Sequence, residues 1–273
     1  MQPRYLSSRA GQIFTNYFPP VAETPVRGRM LFIPPFAEES NRSRHVIAAF
    51  ARGCAGIGIG VMILDPYGTG DSAGDFADAR WDIWKDDVGT GVSALAEMGN
   101  EPIAIGGLRL GASLAAEFAA DHPSRFSRLV LWQPVTTGQN YLKQFLRIRF
   151  AADLAEGGAE GQGTKKLMAE LEAGQIVEVG GYDLAPALAK SIEGIKLGPL
   201  GIAAKTPVTW LEISARDDAA LSPAATRIIK DWQAAGIEMD ARPVKDEAVW
   251  LLQARVEMAA FVESALESIG GAL

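Results

Sequence analysis

The stretch from Ile103 to Ser113, I-A-I-G-G-L-R-L-G-A-S, constrains this chain more than any other. The apolar run Ile103 to Ile105 reads as a buried strand, and the Ala-rich segment Leu114 to Ala120 as an amphipathic helix. Between them lies a glycine-rich corner, Gly107-Leu108-Arg109-Leu110-Gly111. A strand turns this sharply into a helix only through a strained central residue whose neighbours lack side chains, so that the two elements can approach. Arg109 is therefore predicted at the carboxyl end of a sheet strand, beside a helix N-terminus. A guanidinium carries a fixed charge and donors only; it cannot be acylated.

The remaining chain repeats the alternation of strand and helix. Ile13 to Phe18 and Arg29 to Ile33 read as two antiparallel strands joined through Pro19-Pro20. Pro34-Pro35 stop the second, because proline cannot continue a central strand. A loop through Phe36, Ala37, Glu38 and Glu39 then leads to a helix from Arg42 to Arg52, with Ser40 or Asn41 as its cap. Ile59 to Leu64 is a buried strand ended by D-P-Y-G-T-G-D-S, where Asp65, Asp71 and Ser72 are expected to bond local backbone. A metal site made of Asp65, Asp71 and Asp75 matches no Ca²⁺-loop spacing, and neither metal nor other cofactor is expected. Trp81 to Glu97 has helical periodicity and Leu129 to Trp132 is a strand. From Gly138 to Lys205 the pattern is helical, with only Gln175 to Val179 as a short strand, which reads as an insertion over the site. Val208 to Ser214 resumes the sheet, followed by a helix from Ser222, a strand from Glu238 to Val244 and a helix from Gln253 to Ile269. This rhythm predicts an α/β fold with a mostly parallel, doubly wound sheet, one domain over residues 1–273 with its insertion at 138–205.

Composition narrows the partners. A formal net charge of -7 disfavours nucleic acid, whose phosphates need a basic face. The single cysteine, Cys54, excludes an internal disulfide and reads as a buried thiol in an apolar helix. No apolar run approaches the roughly 20 residues of a membrane span. The first residues lack the apolar core of a secretory signal, so the cytoplasm is the expected location. Only two histidines are present, His45 and His122.

Gly107-x-Arg109-x-Gly111 resembles the nucleophile elbow of α/β-hydrolases, G-x-S-x-G, with arginine where the serine belongs. The resemblance implies an oxyanion hole from the backbone N–H groups of Phe36 and Leu110, with Pro34-Pro35 in place of the usual His-Gly. It puts the triad acid in the loop Ala215-Arg216-Asp217-Asp218-Ala219 and the catalytic histidine in Lys245 to Trp250, which contains none. His122 ends the helix after the elbow, His45 lies more than a turn beyond the Phe36 loop, and Ser113 has no base in reach. Ser-His-Asp acyl transfer is not expected.

Charge is what the expected cleft contains: Arg109, Glu38 or Glu39, and Asp217 or Asp218, with Trp250 beside them. In one reading Arg109 pairs with Glu38 or Glu39 and closes a disused site. In the other, Arg109 with the Phe36 and Leu110 N–H groups grips a small anionic or acyl ligand, and Glu38, Glu39 or Asp218 serves as acid or base. An unpaired buried arginine is costly, so an acidic partner is expected either way.

A narrower resemblance rests on IPPFAEESNRSR (Ile33 to Arg44), DPYGTGDSAGDFADARW (Asp65 to Trp81) and GLRLGAS (Gly107 to Ser113). These stretches resemble a bacterial α/β-hydrolase-like family, the second of two hydrolases associated with the exosortase A system. That family also has arginine at the elbow. The resemblance implies a setting in envelope or exopolysaccharide biogenesis and partners from that machinery. It leaves two functions open: hydrolysis of an ester or thioester by a non-standard site, or a pseudoenzyme that binds an anionic metabolite or a protein.

Overall fold

The computed structural model describes residues 1–155, 163–202, 206–214, 219–252 and 254–271. Its centre is an eight-stranded sheet in the order β1-β2-β4-β3-β5-β6-β9-β10. The strands are β1 (Gln2–Ser7), β2 (Gln12–Phe18), β3 (Gly28–Ile33), β4 (Ile59–Leu64), β5 (Ile103–Leu108), β6 (Arg128–Trp132), β9 (Val208–Ser214) and β10 (Met239–Lys245). From β4 onward neighbours pair in parallel; only β1–β2 and β2–β4 are antiparallel. The strands β3 and β6 are buried along their whole length, as residues covered on both faces must be.

The helices are α1 (Glu38–Gly56), α2 (Trp81–Ala96), α3 (Leu110–Asp121), α7 (Pro223–Ala234) and α8 (Ala259–Gly270). One apolar core on one face of the sheet joins α2, α3 and α7; the other joins α1 and α8. Cys54 is buried in the second. Between β6 and β9 the chain leaves the sheet for α4 (Gly138–Ala155), α5 (Gly163–Glu172), the hairpin β7 (Val177–Val179) and β8 (Tyr182–Leu184), and α6 (Pro186–Gly194). Among the described residues no helix is long and apolar enough to cross a membrane.

Several sequence expectations need correction. The two early strands exist but do not pair with each other: β4 lies between them, antiparallel to β2 and parallel to β3. The edge strand β1 went unseen, because its residues are almost all exposed and show no apolar alternation. Helix α1 begins at Glu38, so Ser40 and Asn41 lie inside it; Ala37 takes the cap position with φ 52°. The last helix begins at Ala259, after a single 3-10 turn at Val249–Leu251. Ser222 does cap α7, accepting from the Ala225 N–H at 3.2 Å.

Candidate functional site

The corner between β5 and α3 has the geometry its glycines require. A Cβ on Gly111 would collide with the carbonyl oxygens of Ile33 and Pro34, and one on Gly107 with the Gly111 backbone. Arg109 holds φ 56° and ψ -119°, a conformation that costs a residue with a side chain about 1–3 kcal/mol. The backbone pins it there. Its N–H donates to the Trp132 carbonyl at 2.9 Å, and its own carbonyl accepts from Val135 at 3.3 Å. Ser113 braces the same corner, its hydroxyl donating to Val135 O at 3.0 Å.

The Arg109 side chain is directed into a closed cluster. Its Nε and Nη2 lie 3.4 and 3.3 Å from Glu39 Oε1. Tyr141, from α4, donates its hydroxyl to Glu39 Oε2 at 3.1 Å. The guanidinium carbon lies 5.4 Å from the ring centres of both Tyr141 and Trp250, within cation–π range. Side-chain exposure is 15% for Arg109 and 18% for Glu39, so the pair is largely withdrawn from water. Burial pushes the Glu39 carboxyl above its ordinary range, with Arg109 and the Tyr141 hydroxyl opposing. Burial, reinforced by the Glu39 charge, likewise raises the Tyr141 phenol.

Of the residues singled out from sequence, Arg109, Glu39 and Trp250 are brought together. Glu38 is not: it lies one residue earlier on α1, is 45% exposed, and takes Arg42 at 3.5 Å and Asn41 at 3.0 Å. Asp217 and Asp218 fall outside the described residues. Trp250 occupies the loop after β10, where the resemblance puts a histidine. His45 bonds the Val256 carbonyl through Nε2 at 2.6 Å, and His122 stacks on Phe118 at 4.1 Å; neither reaches Arg109. Tyr141 escaped the sequence reading, and the amphipathic pattern of α4 gave no sign that one tyrosine would face the elbow.

A cavity of about 210 Å³ adjoins the elbow, lined by Pro34 to Ala37 on one side and Leu110, Gly111 and Leu114 on another. Arg109 and Glu39 do not line it. Phe36 touches both regions, its ring 6.2 Å from Tyr141 and 5.3 Å from Phe76. The N–H groups of Phe36 and Leu110 donate to no protein group among the described residues. Tyr182 of β8 closes the cavity, its ring 5.1 Å from Phe76 and its hydroxyl 3.0 Å from Asn41 on α1.

A family model described as serine aminopeptidase, S33, matches residues 24–165, just over half of the chain. The chain belongs to this family of α/β-hydrolases. No curated protein matches it. Solved structures match over nearly its whole length at low identity, which shows the fold. Est1E from Butyrivibrio proteoclasticus, bound to ferulic acid, has TM-score 0.70 and 16% identity over 98% of this chain and 96% of that one. A thermostable carboxyl esterase from Bacillus coagulans has TM-score 0.66 and 15% identity, covering 99% and 98%. Alpha/beta hydrolase domain-containing protein 10 from mouse has TM-score 0.60 and 16% identity over the same shares. This S33 member thus has the sheet of that fold, with Arg109 at the corner between β5 and α3 and no histidine after β10.

Proposed function

We propose that this S33 member does not form an acyl-enzyme and instead binds a small carboxylate or acyl compound in the cavity beside its elbow. The observation that carries this reading is the commitment of Arg109. Its guanidinium is held by Glu39 and faced by Tyr141 and Trp250, so the position of the nucleophile is filled by a fixed cation already neutralised. Ser113 cannot replace it, since its hydroxyl is bonded to backbone carbonyls. The Phe36 and Leu110 N–H groups, by contrast, are unspent next to the cavity, and oriented donors at a helix N-terminus favour an anionic oxygen. The insertion at 138–205 acts as a cap, contributing Tyr141 to the arginine cluster and Tyr182 to the cavity wall. The resemblance to the exosortase-associated family supports a cytoplasmic role in envelope or exopolysaccharide biogenesis.

The deciding experiment is turnover of a panel of activated esters and acyl thioesters by the wild type and Arg109→Ala. We expect no saturable turnover by either. Saturable turnover that collapses in the variant would overturn the binding role and favour the alternative, hydrolysis without serine, with Glu39 or Asp218 as base.

A further inference from the structure

The cavity carries a polar feature that neither the elbow nor the oxyanion loop explains. Asp65 directly follows β4 and its side chain is only 4% exposed. Its Oδ2 accepts from Arg44 Nη2 at 3.1 Å and from the Asp71 N–H at 3.3 Å. Its Oδ1 accepts from no protein group among the described residues, yet is not among the polar atoms sealed from solvent, and Asp65 lines the cavity. A carboxylate oxygen without a donor inside a protein is costly, so an acceptor facing a cavity is suited to a donor brought by a ligand. Burial raises the Asp65 carboxyl above its ordinary range, with Arg44 opposing. The pair is packed tightly: a side chain at Gly70 would strike both the Asp65 carboxylate and the Arg44 guanidinium.

Much of the remaining wall is aromatic, with Ser40, Asn41 and Thr69 also on it. Phe36, Phe76, Trp81, Trp84 and Tyr182 line the space, with Phe36 and Trp84 centred 6.2 Å apart and Trp81 and Trp84 6.0 Å apart. The volume, about 210 Å³, exceeds the ~150 Å³ of an apolar cavity known to admit benzene. Arg44 neutralises Asp65, so a cationic ligand gains little. Asn41 already donates to Glu38 and Tyr182, and Thr69 to the Pro66 carbonyl, so a sugar would bring more hydroxyls than the wall has partners for, at a cost for each. A phenol brings one donor for one acceptor.

We propose that the cavity takes a substituted benzene ring whose hydroxyl donates to Asp65 Oδ1. The inference rests on the binding role argued above and names the ligand's chemical class: a phenol, with any carboxylate directed to the Phe36 and Leu110 N–H groups.

The test is a set of four ligands, toluene, p-cresol, benzoate and 4-hydroxybenzoate, titrated by calorimetry, with intrinsic tryptophan emission, to which Trp81 and Trp84 on the cavity wall contribute, as a second readout. The hydroxyl should tighten binding at least about tenfold in both pairs, the gain for a hydrogen bond to a charged group. In Asp65→Asn, which keeps the shape and removes the charge, the preference should fall to about threefold or less. Ser40→Phe, which adds a ring to the cavity wall one helical turn before Arg44, should weaken all four ligands together, with thermal unfolding checking that each variant is folded. Equal affinity for p-cresol and toluene in the wild type, unchanged affinity in Ser40→Phe, or tighter binding of methyl α-glucoside than of p-cresol would overturn the inference. The carboxylate preference, benzoate over toluene, is read separately. Its absence with the hydroxyl preference intact would remove the carboxylate-binding part of the proposed function and leave the phenol site standing.

Discussion

At the scale of single residues, Arg109 concentrates the costs of this site. It occupies a strained backbone conformation and carries a charge into a largely buried place, and one carboxylate, Glu39, offsets that charge. Removing one partner of such a pair leaves the other uncompensated, a loss of about 3–5 kcal/mol when burial is complete. Arg109→Met keeps much of the packing and strips Glu39 of its counter-charge, so we expect a loss of about 2–4 kcal/mol at pH 8, somewhat less than the fully buried figure. The sign of the pH dependence follows from Glu39. Its folded carboxyl titrates above its unfolded value because of burial, and without Arg109 it rises further. The folded state then binds more protons than the unfolded one between those two values, so stability falls as pH rises through that window. The deficit of Arg109→Met relative to wild type should therefore shrink as pH is lowered from 8 towards 5. Urea unfolding across that range measures it, and a deficit that grows on acidification would contradict the assignment of Glu39 as a buried, charge-compensated carboxyl.

At the scale of elements, the corner between β5 and α3 was legible because its constraint is local. Glycines at 107 and 111 are demanded by carbonyl oxygens of the neighbouring β3 and by the corner itself, and the sequence spacing reports that demand directly. Gly111→Ala should accordingly cost about 3 kcal/mol or more, since the added methyl meets backbone that cannot rotate away. A thermal midpoint within a degree or two of wild type would show that the corner relaxes. Elements whose form depends on distant partners were less legible. Nothing local in Gln12–Phe18 says that β4, and not β3, is its neighbour; that is settled by the crossover through α1. The start of α1 depends on Ala37 adopting φ 52°, which no capping side chain announces. The pairing of Arg109 with Glu39, and not with Glu38, follows from that start, because one helical step rotates Glu38 towards Arg42. Tyr141 and the Asp65–Arg44 pair lie at contacts between elements far apart in sequence, where residue type and spacing carry no signal.

At the scale of the whole molecule, the insertion between β6 and β9 is either a layer of the main core or a lid that moves on it. Its packing decides between them. Tyr141, Leu142, Phe145 and Leu146 of α4 and Leu188 and Ile192 of α6 belong to the same apolar cluster as Leu31, Ile105 and Leu131 of the sheet. Phe36, on the loop after β3, packs its ring 4.9 Å from Phe145. Lifting α4 away would expose these side chains, at roughly 1.5–3 kcal/mol for each large one, and would break the Tyr141–Glu39 bond. The insertion should therefore unfold with the sheet. None of the six tryptophans lies in the insertion, so their emission, with Trp132 and Trp210 fully buried on the sheet, reports on the rest of the molecule. Ile148, exposed on α4, can be changed to cysteine and labelled while Cys54 remains buried. In denaturant the two signals should share one midpoint and one slope, as in a single cooperative transition. An earlier transition at position 148 would mean that the insertion opens by itself, and ligand entry would then be controlled by the whole layer, with Tyr182 and Tyr141 leaving together.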